Sequence, residues 1–253
     1  MRLLTFSVLL SFALLSSCKV SDYASDAKPI THTLWDSLVR EHVDEAGLVD
    51  YEGFIADSSR LNAYLELLGN HHPNNRHWTR DERLAYWINA YNAFTVKLIV
   101  DHYPVESIKD IKNGIPFVNT VWDIKFIDIE GRTYDLNNIE HGIIRPKFEE
   151  PRIHFAVNCA AVSCPKLADR AYTAEQLDAQ LTQAAESFLE DEQKNHLRPG
   201  QIKISKLFTW YQGDFTANGR TLIEYLNQYA PIGIEKEATI DYMEYNWALN
   251  GQQ

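Results

Sequence analysis

Thr79-Arg80-Asp81-Glu82-Arg83-Leu84-Ala85-Tyr86-Trp87-Ile88-Asn89-Ala90-Tyr91-Asn92-Ala93-Phe94-Thr95-Val96-Lys97-Leu98 is the stretch on which the reading of this chain turns. It opens as a capping box: the Thr79 oxygen can accept from the amide of the third helical residue, and the Glu82 side chain can reach back. The helix is expected to run to about His102 and to stop before Pro104. Leu84, Ile88, Tyr91, Thr95 and Leu98 follow spacings of four and three and make one packing stripe. A second face carries Glu82, Ala85, Asn89, Asn92 and Val96. Polar groups on so apolar a helix need partners once buried. Glu82, Asn89 and Asn92 are therefore candidates for a pocket or a buried polar network.

Outward from this helix the pattern mixes helices and strands. Thr33 to Val43 and Ser58 to Leu68 read as helices, and Gly47 to Phe54 as a short extended piece. Trp122 to Ile129 and Arg132 to Leu136 read as a hairpin through Glu130-Gly131. Asn137 can cap a short helix through Ile139, His141 and Ile144, stopped by Pro146. Ile153 to Val157 reads as a compact strand with His154, Ala156 and Asn158 on one side. Thr173-Ala174-Glu175-Gln176 is a second capping box, opening a helix to about Glu190. Ile202 to Ile204 and Ala238 to Tyr245 suggest strands; Lys206 to Gln212 and Thr221 to Tyr229 suggest helices. The expected class is α+β: a single mixed domain over residues 32–253, with a small antiparallel or mixed sheet packed by several helices.

The chain has 253 residues, six tryptophans and thirteen tyrosines, enough large apolar groups to fill one real core. Its formal charge of -11 repels phosphate backbones, so nucleic acid is not an expected partner. The same charge disfavours electrostatic adhesion to anionic lipid.

At the N-terminus, Arg2 precedes an apolar run from Leu3 to Leu15, of signal-sequence length and too short for a permanent span. It closes on Leu15-Ser16-Ser17-Cys18, which fits a bacterial lipobox. The expectation is a signal peptide over residues 1–17, a fatty-acylated Cys18, a polar tether over 18–31, and attachment to the membrane through that lipid. Lys19 after the acylated cysteine points to the outer membrane, with the domain facing the periplasm. An envelope protein or glycan is then the expected partner within reach.

Several segments taken together resemble a known family. Tyr86-Trp87-Ile88-Asn89-Ala90-Tyr91-Asn92-Ala93 is the strongest, followed by Ile139-Glu140-His141 with Arg145. Then come His154-Phe155-Ala156-Val157-Asn158-Cys159, Ser163-Cys164-Pro165, Trp210-Tyr211 with Asp214-Phe215, Tyr245-Asn246-Trp247 and Leu249-Asn250. Their order and content resemble the family called "domain of unknown function 547", in its bacterial lipoprotein branch, over roughly residues 75–250. The resemblance implies a boundary and signature residues; it implies no reaction and no cofactor.

Three chemistries compete for these residues. A cysteine-dependent hydrolase or transpeptidase, acting on amide or ester bonds of the envelope, would use Cys159 as nucleophile and His154 or His141 as base. Glu140 stands beside His141, and Asn158, Asn89 or Asn92 would orient the imidazole or donate to an oxyanion. An oxidised Cys159–Cys164 pair, the ordinary fate of two nearby cysteines outside the cytosol, would silence that thiol. A zinc site would draw on His141, His154, Cys159 and Cys164, though their spacings match no zinc ribbon or finger. The third reading, a binding or scaffold module, makes Glu82, Asn89, Asn92, Glu140, His141 and Asp214 a buried polar network. Exposed tryptophan and tyrosine would then meet the partner, while Trp87, Trp122, Trp210 and Trp247 are expected to be core filling.

Overall fold

A computed structural model describes residues 20, 23–112 and 119–252. The signal sequence and Cys18 lie outside these residues. Four helices come first: α1 (Thr33–His42), α2 (Tyr51–Ala56), α3 (Ser58–Gly69) and α4 (Arg80–Val100). The α4 capping box forms as its sequence dictates. Glu82 N donates to Thr79 Oγ1 at 3.2 Å, and Thr79 N donates to Glu82 Oε2 at 2.6 Å. Every residue from Leu84 to Val96 is buried. The helix is thus enclosed all round, and it presents its two expected faces to different parts of one interior. The piece Gly47 to Phe54, expected to be extended, turns helical from Tyr51 because the Asp50 carboxylate accepts from Gly53 N and caps α2.

The expected hairpin follows as β1 (Ile127–Ile129) and β2 (Arg132–Tyr134), with Ile127 opposite Tyr134 and Ile129 opposite Arg132. Its two-residue turn has Glu130 at φ 48° and Gly131 at φ 73°, the left-handed pair that matches strand twist. The short helix after Asn137 is a π-helix (Asn138–Ile144) that runs on into α5 (Arg145–Phe148). Arg145 N donates to Glu140 O, five residues back, so one extra residue is accommodated per turn. Pro146 does not stop it: the Gly142 carbonyl, four residues back, which an N–H at position 146 would otherwise take, accepts from Val20 N instead.

The expected strand Ile153 to Val157 is instead a 3-10 helix (Pro151–Phe155). Pro151 presets the first turn, Glu150 accepts from Arg152 N, and Ala156 and Val157 N–H groups both donate to Ile153 O. A short buried apolar run reads the same either way. α6 (Leu177–Glu190) begins three residues later than the Thr173 box suggests. The Gln180 side chain takes the local backbone groups instead, accepting from Thr173 N and donating to Ala171 O.

A three-stranded sheet completes the fold. β3 (His196–Arg198) pairs antiparallel with β4 (Gln201–Ile204), and β4 pairs parallel with β5 (Thr239–Tyr242). Between β4 and β5 run α7 (Leu207–Trp210), α8 (Gln212–Phe215) and α9 (Leu222–Leu226). Helices packed on two small sheets make this a single α+β domain. A second apolar cluster, with Phe155, Phe188, Phe208, Phe215 and Tyr225, fills the space between this sheet and α6 to α9.

The described residues at both ends close over the domain. Residues 23–31, expected to be a tether, lie along its surface: Tyr23 Oη donates to Glu130 O, and Asn74 Nδ2 and Trp78 Nε1 both donate to Ala27 O. Val20 N donates to Gly142 O on the π-helix. At the other end, Val162 N donates to Ala248 O, and Val49 N to Asn250 O. Among the described residues, no helix is long and apolar enough to cross a membrane.

Candidate functional site

The π-helix, the 3-10 helix, the loop 159–165, α7 to α8 and the returning C-terminal segment enclose a cleft of about 310 Å³. This is the size of a small-ligand site. Glu140 and His141 come from the π-helix, His154 from the 3-10 helix, and Cys159 and Cys164 from the loop; Tyr91 of α4 also lines it. The helix α4, the Glu140-His141 helix and the Cys159 loop thus meet at one cleft.

His154 is the centre of its floor. The ring is buried, stacks on Tyr211 at 3.8 Å between centroids, and meets the edge of Phe215. Its Nε2 lies 2.7 Å from Asp214 Oδ2. Asp214 is also gripped by Arg145, whose Nε and Nη2 donate to Oδ2 and Oδ1 at 2.6 and 2.9 Å. Burial opposes the Asp214 charge, but the His154 and Arg145 hydrogen bonds outweigh it and hold the carboxyl well below the usual range. An ionised carboxylate only accepts, so Nε2 must carry a proton. Burial lowers the His154 pKa more than Asp214 and Glu140 raise it, which favours the neutral ring. Its Nδ1 is then an unprotonated acceptor.

That Nδ1 has no hydrogen-bond partner among the described residues, and neither does Glu140 Oε1, 4.0 Å away. Two buried acceptor atoms outside hydrogen-bonding geometry, side by side, are uncommon in a folded interior, although the Tyr91 and Tyr211 phenols hydrogen-bond the same Glu140 carboxylate. The Tyr91, Tyr211 and Tyr245 phenols are raised first by burial and then by the Glu140 carboxylate, so all three stay protonated. His141 sits further out; its Nδ1 accepts from Arg145 Nη1 at 3.1 Å.

The walls are aromatic. Tyr245 and Trp247 pack at 4.5 Å, Trp210 and Tyr245 at 4.7 Å, and Trp122 meets Trp247 edge-on at 5.6 Å. Trp87 is core filling as expected, whereas Trp210 is 47% exposed and Trp122 and Trp247 are half-buried. These three tryptophans line the cleft, contrary to the expectation of core packing, because they sit on short or irregular segments at its rim.

The asparagines serve the backbone. Asn89 Nδ2 donates to Tyr172 O and its Oδ1 accepts from Tyr172 N. Asn92 bridges in the same way from Ala156 O to Asn158 N. Asn158 accepts from Ala160 N and donates to Pro165 O. These bonds pin the loop that bears the cysteines, so the three residues position the site without lining its floor. Glu82 is spent on the α4 cap.

Cys159 and Cys164 are joined by a disulfide, their Cα atoms 6.1 Å apart. In this state Cys159 has no thiolate, and the nucleophile expected from the sequence is not available. Nor do His141, His154, Cys159 and Cys164 gather as zinc ligands: among the described residues the one group with its donor atoms close enough together is Glu41, His42 and Asp57. There the Arg60 guanidinium already lies 2.5 Å from Glu41 and 2.8 Å from Asp57.

Sequence reasoning missed the contribution of Tyr91, Tyr211 and Tyr245. The recurring Trp-Tyr and Tyr-Asn-Trp pairs near the C-terminus were the available signal, though aromatic residues alone do not distinguish a wall from a core. No curated protein and no solved structure matches the chain. Residues 75–189, which carry Tyr91, Glu140, His141, His154 and both cleft cysteines, match the family described as "Protein of unknown function, DUF547".

Proposed function

We propose that this chain is a lipid-anchored envelope protein whose cleft binds a glycan. The observation that carries this reading is the pair of unpartnered acceptors, Glu140 Oε1 and His154 Nδ1, beneath an aromatic wall. Such a floor calls for a ligand rich in donors, and flat aromatic faces suit the apolar faces of sugar rings. Sugar hydroxyls meet both demands, and the envelope supplies polymeric sugar. Anchorage through Cys18, with the domain facing the periplasm, would place the cleft beside it.

Tryptophan fluorescence titration tests this, with disaccharide-peptide fragments of peptidoglycan and with chito-oligosaccharides as ligands. Saturable quenching is expected. Trp210→Ala and Glu140→Gln should each weaken binding roughly tenfold, the loss of one aromatic contact or one charge-assisted hydrogen bond. If neither glycan binds, or if Trp210→Ala binds as well as wild type, the reading fails. Binding of a quaternary ammonium probe in place of both glycans would also overturn it, since aromatic walls with a carboxylate suit such cations.

A further inference from the structure

The two sulfurs of the cleft disulfide are not equivalent. Cys164 is 3% exposed, whereas Cys159 is half-buried on the cleft side. Cys164 Sγ receives two donors: the Cys159 backbone N–H at 3.0 Å and the Tyr245 hydroxyl at 3.2 Å. The same hydroxyl lies 3.4 Å from Cys159 Sγ. Burial keeps the Tyr245 phenol protonated, hence a donor. Donors aimed at one sulfur stabilise negative charge there. A disulfide breaks fastest when the departing sulfur is the better-stabilised thiolate and the other is open to attack. The backbone also holds Ala160, beside Cys159, in the left-handed region at φ 58°, a conformation unfavourable for an alanine that tertiary bonds must maintain.

We infer that Cys159–Cys164 is a redox-active disulfide that oxidises a thiol-bearing molecule entering the cleft, with Cys159 the sulfur attacked and Cys164 the leaving thiolate. This goes beyond glycan binding and needs only the cleft, whatever else occupies it. A substrate thiol loses its proton to water, and its sulfur bonds to Cys159 Sγ. The S–S bond breaks and its electron pair leaves on Cys164 Sγ, where the Cys159 N–H and Tyr245 O–H receive the charge. A second thiol of the substrate, deprotonated in turn, attacks the substrate sulfur of this mixed disulfide and releases Cys159. The substrate dithiol is oxidised by two electrons to a disulfide, and the two protons finish on Cys159 and Cys164.

The experiment uses the full mature chain, folded, without denaturant. Reduced glutathione and a peptide bearing a Cys-Xaa-Xaa-Cys pair are supplied separately, and the products are trapped by acid quench, alkylated and mapped by mass spectrometry. Reduction by either at millimolar concentration is expected, with the mixed disulfide on Cys159; the ratio of the two rates tells a small thiol from a peptide as the natural source. Cys164→Ser should accumulate the Cys159 adduct from oxidised glutathione. Tyr245→Phe should slow reduction roughly tenfold by removing one donor to the leaving sulfur. The inference fails if the folded wild-type disulfide yields only in denaturant, if the adduct forms on Cys164, or if Tyr245→Phe is reduced at the wild-type rate. None of these results depends on whether a glycan binds.

Discussion

The protonation of the site follows from three side chains. Arg145 fixes Asp214 as a carboxylate, Asp214 fixes the proton of His154 on Nε2, and the remaining nitrogen faces Glu140. Removing Arg145 leaves a half-buried charge short of partners. Arg145→Ala is expected to cost about 2 to 3 kcal/mol, measured by urea unfolding; a change within experimental error would mean that the Asp214 charge does not depend on it. Titration adds a second expectation. Burial lowers the His154 pKa and pushes that of His32 from 6.5 down to about 4. Below about pH 6.5 the unfolded chain takes up protons that these buried rings refuse, so their contribution to stability is intact above that pH and is lost as the pH falls toward 4. Asp214, its folded pKa depressed, contributes stability above the unfolded carboxyl range of about 3.9 and loses it at still lower pH. Melting temperatures recorded from pH 8 down to 4 should therefore fall, and His32→Gln should flatten the upper part of the curve. A melting temperature that rises on acidification would contradict this.

At the scale of elements, α4 was legible because capping, periodicity and its stop signal agree. The hairpin was legible through Glu130-Gly131. The segment Ile153 to Val157 was not, because alternation over five buried residues does not distinguish a strand from a turn of 3-10 helix, and Pro151 decides it. The π-helix was not legible either: no local signal in Asn138–Ile144 announces a five-residue hydrogen bond, yet that widened turn is where Glu140 and His141 meet the cleft. The link between elements is Asn92, whose amide satisfies Ala156 O and Asn158 N from α4. Asn92→Ala orphans two buried backbone groups and should cost about 2 to 4 kcal/mol, read from the urea midpoint. It should also raise hydrogen exchange at Asn158 and Ala160. A stable variant with unchanged exchange would show that the loop holds itself.

For the whole molecule, composition and element pattern were enough for an α+β domain, and the sequence motifs marked most of the polar floor. The aromatic wall was not legible, since it is assembled from segments far apart in the chain, Trp122, Trp210, Tyr245 and Trp247, whose burial depends on tertiary placement. The docked residues 23–31 bear on the anchorage proposed for Cys18. If Cys18 carries the proposed acyl group, only a short stretch separates that anchor from Val20, whose N–H is bonded to Gly142 O. Cys18→Ala should move the protein from the membrane to the soluble envelope fraction and abolish palmitate labelling; unchanged membrane association would remove the anchor. The cleft itself is tested most directly by the ring nitrogens of His154 in a long-range ¹H–¹⁵N spectrum near pH 7. The ring is expected to be neutral, with Nε2 protonated and Nδ1 bare, and the Nδ1 resonance is expected to shift as a peptidoglycan disaccharide-peptide is added. A doubly protonated ring, or an Nδ1 signal that the glycan leaves in place, would contradict it.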